Sequence, residues 1–458
     1  MTAVTGMLAA MLAAPASASS GPTVGAGPHL GHAQPAAPTS AQCEQLYGLP
    51  CYGPDQIRAA YNLPALYRKK ITGRGTTIAI VDPFGSPTIR TDLAVFDRQF
   101  GYPEPPSFDI VAPAGQIPAY DANNPTMVIA AAEASLDVEY AHALAPDANI
   151  LLVETPVAET EGPTGFPEIV TAEKYVIDHG AADVISQSFG ATEGTFTGLR
   201  QLAPLRAAYL DANAHHVTVL ASSGDSGAAG VDADGNLRTS PATSWPASDP
   251  LVTGVGGTKL TSNGRRFTSV AWNDTNDRAV NEHFAGDAGP NPAASGGGVS
   301  EFFARPRYQD SVRAVVGDRR GVPDVAMSAA ASEPVLVYTS FGGLPSGWQL
   351  GSGTSEGTPE FAAIVALADQ VAGHPLGLIN PTLYALAARH APGIVDVTSG
   401  DNTVSFRQAG RLVTVPGFPA GPGHDLVTGV GTIDALPLVY ELAGSGAPDR
   451  ACPAGRCG

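Results

Sequence analysis

Short apolar runs recur along the chain. TTIAIVD (76–82), NILLVET (149–155), DVISQSF (183–189), VTVLASS (217–223), LVTGVGG (251–257) and VLVYTS (335–340) are rich in aliphatic and β-branched residues. Several are apolar at nearly every position, as strands buried on both faces are. Helical stretches lie between some of them, from Ala131 to Ala145 and from Leu199 to Asn213. This alternation predicts an α/β fold with a largely parallel central sheet and helices on both faces. A further helix opens at Ser355, with Phe361, Ile364, Val365 and Ala368 on one helical face.

The ends of the chain have a different texture. Residues 1–18 hold a short apolar segment, Met7 to Ala14, followed by Ala16-Ser17-Ala18, and read as a secretory signal peptide, although no Lys or Arg precedes the apolar core. Residues 19–52 are rich in Gly, Pro, Ala and Ser and read as a flexible leader with a cysteine pair, Cys43 and Cys51. The globular region is expected over 53–442, and a tail with Cys452 and Cys457 over 443–458. In an oxidising compartment the two pairs are expected to form local disulfides or to cross-link the two ends. Their spacing does not suit zinc, and no histidine sits beside them.

Composition narrows the classes. The chain has 458 residues, 43% hydrophobic and 15% charged, with a formal net charge of -18. That balance argues against nucleic acid as a partner, because phosphate binding needs clustered Lys and Arg. No apolar run is long enough for a membrane span. The expected setting is extracellular, with polypeptide substrates and a monomeric chain.

One stretch carries the chemistry. Gly353-Thr354-Ser355-Glu356-Gly357 fits G-x-S-x-G, and it also reads as G-T-S-x-x-x-P ending at Pro359. Either reading makes Ser355 a nucleophile, which then needs a base. Three candidates compete. Asp396 and His424 follow Ser355 in esterase order, but at least six strand-like runs precede the serine, and an HGGG-type segment is missing upstream. A subtilisin-like arrangement could use Asp82 as acid, but the sole His-Gly, His179-Gly180, ends a helix instead of starting one. The third candidate is a carboxylate. Glu133 and Asp137 lie four apart on an Ala-rich helix and share a face, whereas Glu139 and His142 point away from it. Two carboxyls held together share a proton and separate their pKa values, which creates one acid and one base. Asp225 ends an apolar strand in a Gly-rich turn. In its protonated form it could donate a hydrogen bond to an oxyanion.

The ordered set Glu133-x-x-x-Asp137, Gly224-Asp225-Ser226-Gly227 and Gly353-Thr354-Ser355-x-x-x-Pro359 resembles the sedolisin family of serine-carboxyl peptidases. The segments SGGGVSEFFARPRYQ (295–309) and GVPDVA (321–326) resemble its substrate-cleft and core segments, and the likeness runs from about residue 53 to 440. The resemblance implies a subtilisin-like fold and a secreted, acid-acting endopeptidase with Ser355, Glu133, Asp137 and Asp225 as catalytic residues. A tripeptidyl exopeptidase of the same family, or a non-catalytic binding module, would be the alternatives. It also implies one calcium ion held by Asp396, the carbonyls of Val397, Gly421 and Gly423, and Asp425. VDADGN (231–236), only a fragment of a calcium-loop pattern, is expected to be a turn. The family's usual long prodomain is not expected in the roughly 30 residues between the signal-like segment and the catalytic region.

Overall fold

The apolar runs assemble into a twisted sheet in the computed structural model, which describes residues 36–444 except 265, 287 and 288. Its eight strands are β1 (Thr77–Pro83), β2 (Phe108–Val111), β3 (Asn149–Thr155), β4 (Val184–Gln187), β5 (Thr218–Ser222), β6 (Thr253–Ser262), β7 (Phe267–Ala271) and β8 (Val325–Ser328). The order is β7-β6-β5-β4-β1-β3-β2, and β8 also pairs with β6. Every pairing is parallel except β6 with β7.

Eight helices bear on the core and the site: α1 (Ser40–Tyr47), α2 (Ile89–Phe100), α3 (Pro125–Leu144), α4 (Phe166–Asp178), α5 (Leu199–Leu205), α6 (Ala207–Ala214), α7 (Thr354–Ala372) and α8 (Ala435–Leu442). The pleat sorts the core into two layers. Ile78 and Ile80 of β1 pack with α2, α3, α7 and α8, whereas Ala79 and Val81 pack with α4, α5 and α6. Side chains alternate across a strand, so burial on both faces requires the nearly apolar runs seen in the sequence. The α/β class with helices on both faces is therefore as expected.

The central helices are buried on all sides. In α3, sixteen residues are buried, and α7 is buried from Thr354 to Asp369. A helix apolar all round belongs in a core, which replaces the one-sided burial that the sequence suggested for both. Phe361, Ile364, Val365 and Leu367 are fully buried, and each such side chain contributes about 1.5–3 kcal/mol.

Three expectations change. VLVYTS is not part of the central sheet; Val335–Thr339 forms an antiparallel hairpin with Gly347–Gly351. The stretch from Leu199 to Asn213 is two helices that meet at Arg206, just after Pro204. A proline there removes an N–H and crowds the preceding turn. The leader is not flexible throughout. From Thr39, whose side chain caps α1, the chain packs on the main core, and Cys43 and Cys51 form a disulfide that is itself buried. The two sulfurs supply apolar surface to that core, a role that composition alone hides. Cys452, Cys457 and the signal-like segment lie outside the described residues. No helix among the described residues is long and apolar enough to cross a membrane.

Candidate active site

Ser355 sits in the first turn of α7. Gly353 precedes the helix at φ 103°, and a side chain there would approach Asp225 Oδ2 to 2.5 Å. Glycine is therefore required by both the conformation and the close approach. Pro359 has no N–H to donate to the carbonyl of Ser355, four residues back. Ser188, just past β4, donates its hydroxyl to that carbonyl at 3.4 Å. The proline of the motif thus frees a backbone acceptor that ties the nucleophile's turn to the end of β4.

The opposing wall is α3. Asn124 caps it by accepting from Thr126 N, and Pro125 occupies its first position. Further along the helix, Glu133 is 4% exposed and Asp137 is 0% exposed. The Ser355 hydroxyl lies close enough to Glu133 to favour its ionised form, although neither group completes a hydrogen bond. Such contacts are often loose before substrate binds. Burial first, and then the charge of Asp137, pushes Glu133 well above the usual carboxylate range. Asp137 is raised in the same direction by burial and then by Asp82, while the nearness of Ser188 and Glu133 opposes the shift without a completed hydrogen bond. Held so close, the two titrate as a unit with separated steps.

Asp82 is the residue that sequence reasoning passes over, since it enters there only as a partner for a histidine. It ends β1 on the same face as Ile78 and Ile80, is 1% exposed, and adjoins the pair on α3. Burial, and then Glu154 beside it on β3, raises its pKa to about 7. The available signal is its position at the C-terminal end of a buried parallel strand. Ser188 carries the same signal at the end of β4.

Asp225 follows β5 and reaches the start of α7. Its Oδ1 accepts from Thr354 N and Thr354 Oγ1, both at 2.8 Å, while Oδ2 has no partner among the described residues. Burial raises its pKa to about 7, against smaller opposing contributions from Thr354. In acid the proton therefore belongs on Oδ2, which is free to donate. A cleft with about 410 Å³ of empty space opens beside it, lined by Gly190, Thr192, Ser223, Gly224, Ala242 and Ser244 among others. Of the Gly-rich segment 295–298, Gly296 N donates to Gly224 O at 2.6 Å. A side chain on Gly296 would strike the backbone of Ser223 and Gly224, and one on Gly297 would strike that of Leu426. These glycines serve backbone packing at the cleft wall.

The histidines considered in the sequence are elsewhere. His142 pairs with Asp97 at 3.3 Å on the far side of α3, His179 caps α4, and His424 contacts the Tyr384 hydroxyl at 3.2 Å. Glu139 accepts from Tyr338 N at 3.0 Å, away from Glu133.

The proposed calcium ligands come together on two loops. Gly423 N donates to Asp396 Oδ2 at 2.9 Å, and Gly421 N donates to Asp425 Oδ2 at 3.0 Å. Asp425 Oδ1 accepts from Val427 N, Thr428 N and Thr428 Oγ1, so a cation would have to share Oδ2 with the Gly421 N–H. No group of three His, Cys, Asp or Glu residues suited to a metal occurs among the described residues, so a cation there would need oxygen ligands beyond the two carboxylates. Two carboxylates with backbone carbonyls are hard oxygen donors and fit Ca²⁺. VDADGN is a turn, with Asp232 Oδ1 accepting from Asp234 N and Asn236 N.

Known proteins resemble this chain in sequence and in fold. The sequence profile of the Subtilase family matches residues 112–409. Kumamolisin of Bacillus sp. (strain MN-32) is 32% identical over 400 residues, covering 85% of this chain and 63% of its own length. Tripeptidyl-peptidase 1 of Mus musculus is 30% identical over 411 residues, with coverage of 85% and 64%. The chain thus spans a little under two thirds of these curated relatives. A solved Pseudomonas sedolisin, described as a serine-carboxyl proteinase complexed with two molecules of pseudo-iodotyrostatin, matches with a TM-score of 0.70 at 24% identity, over 87% of this chain and 99% of that one. At that identity the likeness shows the fold alone.

Proposed function

We propose, from the premise that this chain belongs to the subtilase family and to its sedolisin branch, that it is an acid-acting serine-carboxyl endopeptidase working outside the cell on polypeptides. The observation that carries this reading is the Ser355 hydroxyl set against the buried carboxyl pair of α3.

Ser355 Oγ attacks the peptide carbonyl carbon while Glu133 takes its proton. Asp137 shares a proton with Glu133 and holds it in orientation. The carbonyl oxygen becomes an oxyanion and accepts a hydrogen bond from protonated Asp225. Glu133 then gives its proton to the leaving amine, and the C–N bond breaks. Water, deprotonated by Glu133, hydrolyses the acyl ester and regenerates Ser355. The cycle needs one proton on the carboxyl pair and one on Asp225. Activity is therefore greatest in acid and declines as pH rises through about 7, where Asp225 loses its proton.

The likeness to tripeptidyl-peptidase 1 supports a second reading, release of tripeptides from an N-terminus. Digestion of a denatured protein at about pH 4, an acid condition within the proposed window, separates these readings. Internal fragments from the wild type, and none from Ser355→Ala, are expected. A ladder of tripeptides favours the exopeptidase, and equal digestion by both proteins removes the peptidase reading.

One structural calcium ion would be held by Asp396, Asp425 and the carbonyls of Val397, Gly421 and Gly423. It would offset two carboxylates that otherwise face one loop. A ligand that binds only the folded state at a hundredfold excess over Kd stabilises it by roughly 2.7 kcal/mol. Excess chelator should therefore lower the melting temperature at about pH 6, where carboxylates of ordinary pKa are ionised. Asp425→Ala should reproduce the loss without chelator. Unchanged melting, with no calcium found by elemental analysis, would remove the ion from the account.

A further inference from the structure

α7 carries a second acidic pair that the proposed chemistry does not use. Glu356 and Glu360 lie one turn apart, and both are 0% exposed. None of their four carboxyl oxygens completes a hydrogen bond among the described residues. Glutamates are almost never fully buried unless paired.

Their surroundings explain why no charge can be offset there. The Tyr61 hydroxyl accepts from Ser328 N at 2.6 Å and lies within electrostatic reach of both groups. Tyr140 of α3 is within reach of both, and Tyr52 of Glu356. The Ser328 hydroxyl adjoins Glu356, and Asp225 adds a carboxyl from the catalytic side. Thr432 adjoins Tyr61. Every one of these is a neutral hydroxyl or another acid. Among the described residues, no Lys, Arg or His is one of the main groups acting on either glutamate. The N-terminal turn of α7 favours a negative charge at Glu356, but this is a small effect beside burial without a partner.

We propose that Glu356 and Glu360 form a proton lock: the first two turns of the nucleophile helix stay seated in the core only while this pair is protonated, so rising pH unseats Ser355 independently of the catalytic carboxyls. The lock rests on packing and not on the peptidase reading, so it stands or falls separately from it.

The direction follows from burial, which raises both groups above the ordinary 4.5, with Glu356 adding to the rise at Glu360. A carboxyl raised in the folded state contributes stability that is fully present below its unfolded pKa. That stability is lost as pH rises through the folded pKa. Within this window each group lowers the folding constant by about tenfold per pH unit. The lock is thus closed in acid and opens toward neutral pH.

The test is thermal melting of the full chain from about pH 4 to pH 8, a range that starts near the unfolded pKa of glutamate. A Ser355→Ala background prevents self-digestion. The parent is compared with Glu356→Gln, Glu360→Gln and the double variant. Gln keeps the shape and cannot ionise. The double variant should match the parent within a few degrees near pH 4. By about pH 7 it should have a folding constant at least about tenfold larger. The pH dependence that remains belongs to the other buried carboxyls, Glu159, Glu173 and Asp369 as well as the catalytic ones. If the double variant does not fold, each single variant should still show a reduced loss of stability. An unchanged pH dependence in the single and double variants overturns the proposal. So does loss of a bound metal equivalent in Glu356→Gln relative to its parent, because a cation would then hold the pair.

Discussion

Ser355→Ala and Glu133→Gln should each lower kcat by on the order of 10⁴-fold, and combining them should cost little more. The two residues act as one unit. Without Ser355 there is no acyl-enzyme. Without a proton acceptor at 133, the hydroxyl is a poor nucleophile, and general-base loss alone costs about 10²–10⁴. Gln is the informative choice at 133 because it keeps volume and hydrogen-bonding shape in a site that is 4% exposed. The fold should be retained: at acid pH the substitution replaces a neutral or half-ionised carboxyl, and at neutral pH it removes a buried charge. An unchanged melting curve beside the lost activity would place the effect in the chemistry. Losses that multiply in the double variant would show that Glu133 and Ser355 act separately.

Asp225 gives the second large effect. Asp225→Ala should lower kcat by about 10²–10³, the usual cost of one oxyanion donor. Asp225→Asn should behave differently, because the two carboxyl oxygens have different duties. Oδ1 accepts from Thr354 N and Oγ1, and Oδ2 is free. An asparagine oxygen can take the first role, and its amide N–H₂ can donate from the second position at any pH. The wild-type donor is lost above about pH 7. The Asn variant should therefore keep part of the activity and extend the alkaline limb. Steady-state kinetics across pH would show this. An Asn variant as poor as Ala, with an unmoved limb, would take the oxyanion role away from Asp225.

The central sheet was legible in the sequence because its strands are apolar on both faces, and few other structures use such short runs. VLVYTS reads the same way yet forms a hairpin, since burial alone does not choose a pairing partner. The candidate site positions stand out in the sequence because the proposed nucleophile, base and oxyanion donor occupy strand ends and helix faces at fixed local spacing. Asp82 and Ser188 do not. Their roles depend on β1 and β4 ending beside α3, a relation between distant segments that no local pattern encodes. Glu356 and Glu360 escape notice in the sequence because an i, i+4 acidic pair is ordinarily solvated. Only the seating of α7 inside the core makes it buried. The end of the N-terminal leader reads as flexible but packs, because a capped helix and the Cys43–Cys51 disulfide seat it on the core.

The pH dependence of kcat/KM for the wild type on an extended peptide is the sharpest single test of the carboxyl chemistry. A carboxyl base with a carboxyl oxyanion donor predicts a bell centred in acid whose alkaline limb falls through about pH 7. A histidine base predicts the reverse, with activity lost as the imidazole protonates near about pH 6.5. An optimum at about pH 8, with a single acid limb at that histidine value, would contradict the assignment of Glu133, Asp137 and Asp225.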